Sequence, residues 1–351
     1  MQYLQQLRPP DDPLVSVIVV THNRPDLLTD CVDSLHRQSY RPFELIVVDN
    51  GSQNNSVRLL KDFLFSDIQI IENKDNYGFC TANNQALDLC KGTYVALLNN
   101  DAVAEVSWLA ELVQALEVNP EFGMAASKVL AHNSPNVIDK SGHLIYLDGQ
   151  NRGRGSGEID RGQYDCFEEV SWPDGCAAFY RRTLLEQLGG FDEDFFAYAD
   201  DAELGLRARI AGWRCLSVPT AIVRHRLGST LGRYSEQRLF LIERNRSWLA
   251  VKLFPMRLLI LNPFYLAIRL FANMIAWLSG HGEVNRATSS MPLTQLLKCL
   301  VKANFAAIAG LPTMIRKRQK TRHLRKLSPS ETTRMIKRFR IPLAELVGKV
   351  P

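Results

Sequence analysis

Cysteine is sparse and poorly spaced for structural work in this chain of 351 residues. Cys31, Cys80, Cys90, Cys166, Cys176, Cys215 and Cys299 are odd in number and include no CxxC pair, which argues against a disulfide framework and a zinc knuckle alike. Buried free thiols in a reducing compartment are expected. The amino-terminal MQYLQQLRPPDDP lacks an apolar h-region, so no signal peptide is expected and cytoplasmic residence is. No internal repeat is visible. Uninterrupted apolar runs are missing too. The stretch LLILNPFYLAIRLFANMIAWLSG is broken by Asn262, Pro263, Arg269 and Asn273, whereas a spanning helix wants about 20 predominantly apolar residues without a central arginine.

What is present suits one large α/β domain with a smaller appendage. Charge is unevenly placed: the net value is only +5, yet Arg316, Lys317, Arg318, Lys320, Arg322, Arg325 and Lys326 crowd together. That asymmetry points to an anionic partner surface, either nucleic acid or a membrane leaflet. The apolar neighbours decide for lipid, and no nucleic acid is expected. On a helix Asn262, Arg269 and Asn273 share one face, as in an amphipathic helix lying in a membrane interface. A span and a buried core helix stay open as alternatives. Cutting the chain from about Ala250 is expected to release it from membranes.

Periodicity organises the first two thirds. LVSVIVV, FELIVVDN, IQII and GTYVALLNND read as buried strands, alternating with helical DLLTDCVDSL, VRLLKDFLF and NNQALDLCK. Such alternation is the signature of a parallel sheet covered on both faces, whose ligands sit outside the carboxyl ends of the strands. Asn23, Asp49 and Asp101 fall there. Ser134 to Asp165, dense in glycine and charge, reads as a long mobile loop. CAAFYRRTLLEQLGGF suggests a further strand and helix, and WRCLSVPTAIVRH a final strand. The expected division is a catalytic domain over 1–235 and a helical, amphipathic and basic membrane-associating region over 236–351.

Single residues are ambiguous. Asp49 before Asn50, Gly51 and Ser52 suits either a base-binding acid or an Asx turn. Asn99, Asn100 and Asp101 suit a turn or a divalent metal between two phosphates. In FFAYADDAELGLRARIAGW, Asp200 and Glu203 have capping-box spacing, and Glu203 precedes Arg207 by four, a helix ion-pair spacing. That leaves Asp201 without a structural partner. Nearby acids are expected to raise its pKa, as suits a base.

Taken in order, IVVTHNRPDLL, IVVDNGS, NYGFCTANNQAL, LLNND, WPDGCAAFYRR, GGFDEDFFAYADDAELGLRARIAGW and PTAIVRHRLGST resemble the family-2 inverting glycosyltransferases of GT-A fold. Within that family the pattern is most similar to bacterial rhamnosyltransferase-type enzymes of cell-envelope polysaccharide synthesis. The resemblance implies an α/β nucleotide-sugar-binding sheet with helices on both faces. It implies Thr21, Asn23 and Asp49 on the nucleoside, Asn83 and Asn84 against ribose and pyrophosphate, and Asn100 with Asp101 in the metal motif. His225 would join Asp101 on Mg²⁺ or Mn²⁺. Asp201 would be the general base with Asp200 beside it, and Trp172, Asp174 and Gly175 would shape the acceptor pocket. Because the motif reads NND, one carboxylate is missing at Asn99. The implied partners are a nucleotide-diphosphate sugar, dTDP-L-rhamnose or a UDP-sugar, a lipid-linked saccharide acceptor and the inner face of the membrane. The QxxRW signature of processive synthases is absent, so single additions are expected. A homo-oligomer is left open, and an inactive sugar-nucleotide-binding scaffold is the competing reading.

Overall fold

The computed structural model describes residues 13–54, 56, 68–226 and 235–347. The expected alternation opens the chain: β1 (Val15–Thr21), α1 (Pro25–His36), β2 (Phe43–Asp49), β3 (Ile68–Glu72), α2 (Gly78–Leu87) and β4 (Tyr94–Leu97). The helix expected at VRLLKDFLF lies outside the described residues. Strands β1 and β2 are buried almost throughout because both faces are covered. Val15, Val17 and Val19 pack toward α1, while Ile18, Ile46 and Val48 pack toward α2. A strand covered twice has no reason to alternate polar with apolar residues.

The chain continues through β5 (Ala102–Ala104), α3 (Trp108–Val118), β6 (Phe122–Ala131), β7 (Ser134–Ser141), β8 (His143–Ile145), β9 (Asn151–Gly153), β10 (Glu168–Val170), β11 (Ala178–Arg181), α4 (Arg182–Leu188), α5 (Asp200–Ile210) and β12 (Arg214–His225). Among the described residues, ten strands form one mixed sheet of order β10-β12-β6-β11-β4-β1-β2-β3, with β5 on β12 and β7 on β6. Parallel register sets Thr21 beside Asp49. Antiparallel β11 enters between β4 and β6, and β12 brings its last residue, His225, beside Ala102 of β5.

Ser134–Asp165 departs from expectation in part. Its first part, to Gly153, is β7, β8 and β9, with β8 and β9 forming a two-stranded ladder, while residues 154–165 are turns and irregular backbone as expected. The two ladder strands are three residues each, and β7 is polar and bulged, so none of them shows periodicity. Cross-links hold them: Arg154 donates to the Ser141 carbonyl at 2.8 Å and pairs with Glu168, and Lys128 pairs with Asp160 and Asp165. In the β6–β7 ladder Val129 faces Lys140 and Leu130 faces Ile138, so Asp139 is the extra residue of a bulge. Such a bulge re-aims neighbouring side chains.

Seven helices follow: α6 (Glu236–Leu253), α7 (Met256–Leu278), α8 (Gly282–Thr288), α9 (Leu293–Ala309), α10 (Leu311–Lys320), α11 (Pro329–Arg338) and α12 (Leu343–Leu346). One apolar cluster runs from Val95, Trp172 and Leu204 to Trp248, Phe254, Met314 and Ile336. Lys252, Leu253 and Phe254 are buried in it, so a cut near Ala250 would open the core as well as remove the later helices.

Helix α7 is long and apolar enough to cross a membrane by length and composition. Its polar stripe faces the protein. The Arg269 guanidinium lies 2.6 Å from Asp148 Oδ2 and 2.8 and 2.9 Å from the two Glu243 oxygens, and Asn262 donates to the Asp148 carbonyl at 2.9 Å. Ile260, Phe264, Phe271 and Leu278 are exposed. Because Asp148 and Glu243 are buried, Arg269→Ala would leave two buried acids with Arg246 alone, and unfolding in urea should show a loss of about 3 kcal/mol. An unchanged midpoint would mean that this network does not dock α7.

Candidate active site

Three strand ends build the first part of the site. Asn100 donates to Thr21 Oγ1 at 3.0 Å, tying β4 to β1. Asp49 Oδ1 accepts from the Ser52 amide at 3.0 Å, so the Asx turn that DNGS suggested is present. The next turn is held in the same way. Asn23, at φ 55°, accepts from the Gln53 amide through its side chain, and its own amide donates to Ser52 Oγ. Positive φ is tolerated by asparagine better than by most residues.

The second part joins Asp101 and His225, as the sequence suggests. Nε2 of His225 lies 3.2 Å from Asp101 Oδ1, and Nδ1 lies 2.7 Å from Asp139 Oδ2. All three side chains are buried. Asp101 Oδ1 has no hydrogen-bond partner. A buried carboxylate oxygen beside an imidazole that a second carboxylate orients offers the ligand types a divalent cation takes, so Asp101 and a deprotonated His225 could hold Mg²⁺ or Mn²⁺. Burial alone would lower the imidazole pKa, but Cys176, Asp101 and Asp139 hold it well above the ordinary value.

The third part centres on α5. Asp201 Oδ1 accepts from the Ala202 amide at 2.7 Å, and Oδ2 faces the Gly175 amide at 3.4 Å and His143 Nε2 at 3.3 Å. The same Nε2 lies 2.7 Å from Asp174 Oδ2, which also receives Lys140 Nζ at 2.8 Å. Lys140 Nζ is in turn 3.8 Å from Asp139. A continuous series of contacts therefore runs Asp101, His225, Asp139, Lys140, Asp174, His143, Asp201. Ligand-type atoms of His143, Asp174 and Asp201 lie within 4.8 Å of one another and could also hold a cation, although Lys140 already brings a positive charge to Asp174.

The two adjacent aspartates differ. Burial, then the charge of Asp201, pushes Asp200 up to about 8. Burial also raises Asp201, but the nearby His143 opposes that rise. Near neutral pH the proton therefore belongs on Asp200, and Asp201 is the carboxylate.

Several sequence expectations are corrected. Asp200 caps nothing: the N-cap is Ala199 at φ 56°, and Asp200 is the first helical residue. Glu203 does not close a capping box. Fully buried, it pairs with Arg207 at 2.7 Å and with Lys252 of α6 at 2.6 Å. Asp201 is not partnerless, as described above. Trp172 is 0% exposed, packed where a Cβ on Gly205 would meet it at 2.2 Å, so it offers no face to a sugar. Asp174 is spent on Lys140 and His143. Asn83 donates to the Phe79 carbonyl within its own helix. Asn84 clamps Phe191 through both ends of its amide.

Other contributors escape a sequence reading. Asp139, Lys140 and His143 sit in the segment expected as a loop. Phe196, Tyr198 and Ala199 enter α5 at φ 65°, 66° and 56°, each costing on the order of 1–3 kcal/mol unless surroundings impose it. Asn245 of α6 imposes it, its amide nitrogen lying 2.7–2.9 Å from the carbonyls of Phe195, Ala197 and Tyr198.

Residues 16–189 match the family model described as Glycosyl transferase family 2. The chain carries a glycosyl transferase family 2 domain. It is 31% identical over 228 residues to the O-antigen biosynthesis protein RfbC of Myxococcus xanthus, covering 62% of this chain and 18% of that one. Two further relatives are covered over 25% and 34% of their length, so the chain spans well under two thirds of these three proteins. The N-acetylglucosaminyl-diphospho-decaprenol L-rhamnosyltransferase of Mycobacterium tuberculosis is 23% identical over 265 residues, covering 67% of this chain and 86% of its own length. Among solved structures, a mannosyltransferase from Pyrobaculum calidifontis in complex with GDP-Man and Mn²⁺ superposes with a TM-score of 0.52 at 19% identity, covering 90% of this chain and 87% of that one. That likeness shows the fold, which is GT-A.

The proton on Asp200 has a stability consequence. Its folded pKa of about 8 stands above the unfolded value of 3.8, so its contribution is fully present below pH 3.8 and is lost as pH rises toward 8. Asp200→Asn removes that loss. The stability advantage of the variant over wild type should grow across this window, by at most about 1.4 kcal/mol per pH unit, in denaturant titrations at stepped pH. A difference that is flat in pH would show that Asp200 is not the protonated member of the pair.

Proposed function

We propose that the chain is an inverting glycosyltransferase that moves a single sugar from a nucleotide-diphosphate donor to a lipid-linked saccharide acceptor in cell-envelope polysaccharide synthesis. The observation that carries this reading is the pairing, in one cleft of the sheet that the family-2 match enters, of a buried Asp101–His225 pair with an Asp201 carboxyl that other side chains hold in place. In the reaction the acceptor hydroxyl attacks the anomeric carbon, its proton passes to Asp201, and the bond from that carbon to the diphosphate oxygen breaks on the opposite face. A divalent cation at Asp101 and His225 would offset the charge developing on the departing diphosphate. Asp200 is no second catalytic carboxyl: it directly precedes Asp201 on one helix, and neighbouring helix residues diverge, so the two cannot both face one carbon as a double displacement requires.

The proposed donor is dTDP-L-rhamnose and the proposed acceptor a polyprenyl-linked saccharide. The mycobacterial relative, named for a decaprenol-borne acceptor and a rhamnosyl group, supports a rhamnosyl donor and a polyprenyl acceptor. A lipid-borne acceptor calls for a protein that meets the inner face of the membrane. Helix α7 offers Phe264 and Phe271, and α9 offers Leu297, Val301, Phe305 and Ile308. Within the basic run Lys317 is spent on Asp192 and Asp194, while Arg318 and Arg325 are spent on carbonyls of α6. Arg316, Lys320, Arg322 and Lys326 are exposed. Apolar area plus cationic side chains is the combination that holds a protein reversibly on an anionic leaflet. The ion pairs of Arg269 fix one face of α7 to the protein, which favours a helix lying in the interface over one that crosses.

A panel of nucleotide sugars assayed by release of the nucleoside diphosphate, with and without Mg²⁺ or Mn²⁺, tests the activity. On the accepted donor, Asp201→Asn should lower turnover by about 10²–10⁴-fold while calorimetry shows donor binding nearly intact. Normal turnover in that variant would take the base role from Asp201, and no release with any donor would favour an inactive binder.

Membrane contact is tested separately. Phe264→Ser, Phe271→Ser and Phe305→Ser together should reduce co-sedimentation with anionic vesicles without changing the thermal melt. Undiminished sedimentation would place the contact elsewhere.

A further inference from the structure

We propose that His143 is a positioning residue for Asp201: gripped by Asp174, its Nε2 edge holds the base carboxylate in its working orientation. This rests on the reading of Asp201 as the base. Three features separate His143 from an ordinary core histidine. It uses one edge only, for Nδ1 is buried and has no partner, whereas Nε2 stands between Asp174 Oδ2 at 2.7 Å and Asp201 Oδ2 at 3.3 Å. A histidine kept for packing satisfies both nitrogens when buried.

The ring is also fixed from behind, lying nearly parallel to Trp172 with an interplanar angle of 21° and centroids 6.1 Å apart. Its entry is built as well. Gly142 at φ 79° turns the chain from β7 into β8, at a point where any Cβ would press on Val170 at 2.9–3.1 Å. That turn delivers His143 to Asp174.

Asp201 is left well suited to its task. Its carboxylate offers roughly four lone-pair sites; the Ala202 and Gly175 amides donate to it, and His143 Nε2 stands 3.3 Å from Oδ2 as its charge partner. Lone pairs stay open for an incoming hydroxyl proton. Without His143 the carboxylate keeps two weakly opposed amides and can swing about its Cβ–Cγ bond. Remote loosening of a reacting group by about 1 Å can cost on the order of 10²-fold.

The test uses the full chain with the donor found in the screen. His143→Leu fills the space without an N–H, and His143→Gln keeps an N–H at similar reach. The Leu variant should lose about tenfold to a hundredfold in kcat, with KM for the donor and the Mn²⁺ stoichiometry unchanged, and the Gln variant should recover most of it. Asp174→Asn, which loosens the grip while keeping the ring, should fall between them. Equal losses in the Leu and Gln variants, wild-type kcat in the Leu variant, or loss of a bound Mn²⁺ equivalent would each overturn the proposal, the last by making His143 a metal ligand. A melt lowered in the Leu variant alone, with the Asp174→Asn variant fully active, would overturn it too. A wild-type chain that releases nucleotide from no donor removes the premise and this inference with it.

Discussion

Lys140 holds the cleft together. Its ammonium lies between Asp139 and Asp174, and those two acids in turn hold His225 and His143, which face Asp101 and Asp201. Four buried carboxylates alternate with three cationic or cation-capable groups. Removing an ionised carboxylate from water costs several kcal/mol, so a cleft with this many acids folds only if positive charge is interleaved. Among the described residues no cation is set against Asp200, and its answer to the same constraint is to keep its proton. The difference between two adjacent aspartates thus follows from which of them the series of cations reaches.

A second set of buried charges makes the carboxyl-terminal helices part of the catalytic body. Lys252 of α6 lies 2.5 Å from Asp192 and 2.6 Å from Glu203, and Arg207 adds bonds to the carbonyls of Leu188 and Gly190. The helix that carries Asp201 is therefore braced from below by a residue far along the chain. Asn245 pins the left-handed approach to that helix in the same way. Backbone strain of this kind persists only where the surroundings over-determine it, and here they come from α6. Whatever else the later helices do, α6 keeps Asp201 where it is.

The strands of the first half were legible because burial on both faces leaves a continuous apolar run, which sequence displays directly. Asp101, His225 and Asp201 were legible for a different reason: each ends or begins an element within a recognisable series of motifs. His143, Lys140 and Asp139 were not, since three-residue strands carry no measurable period and a bulge reverses the expected facing of its neighbours. The capping box at Asp200 failed because its spacing says nothing of backbone angle. Ala199 enters α5 left-handed, and Glu203 had a fully buried arginine and lysine to satisfy. Trp172 shows the converse error, in which a residue beside a site was credited with a contact that packing had already claimed.

The interleaving also determines how the site responds to change. In a series where each cation serves two acids, deleting one member alters the charge felt by its neighbours on both sides, so effects within it cannot add. Loss of Lys140 would leave Asp139 and Asp174 to draw charge from His225 and His143 instead, loosening the Asp101 end and the Asp201 end together. The Asp101–His225 pair and Asp201 are thus one electrostatic unit, although they stand on different elements, the turn before β5 and the end of β12 for one and α5 for the other. For a reaction that must remove a proton on one face of a carbon while charge leaves on the other, this arrangement links the two ends without any moving part.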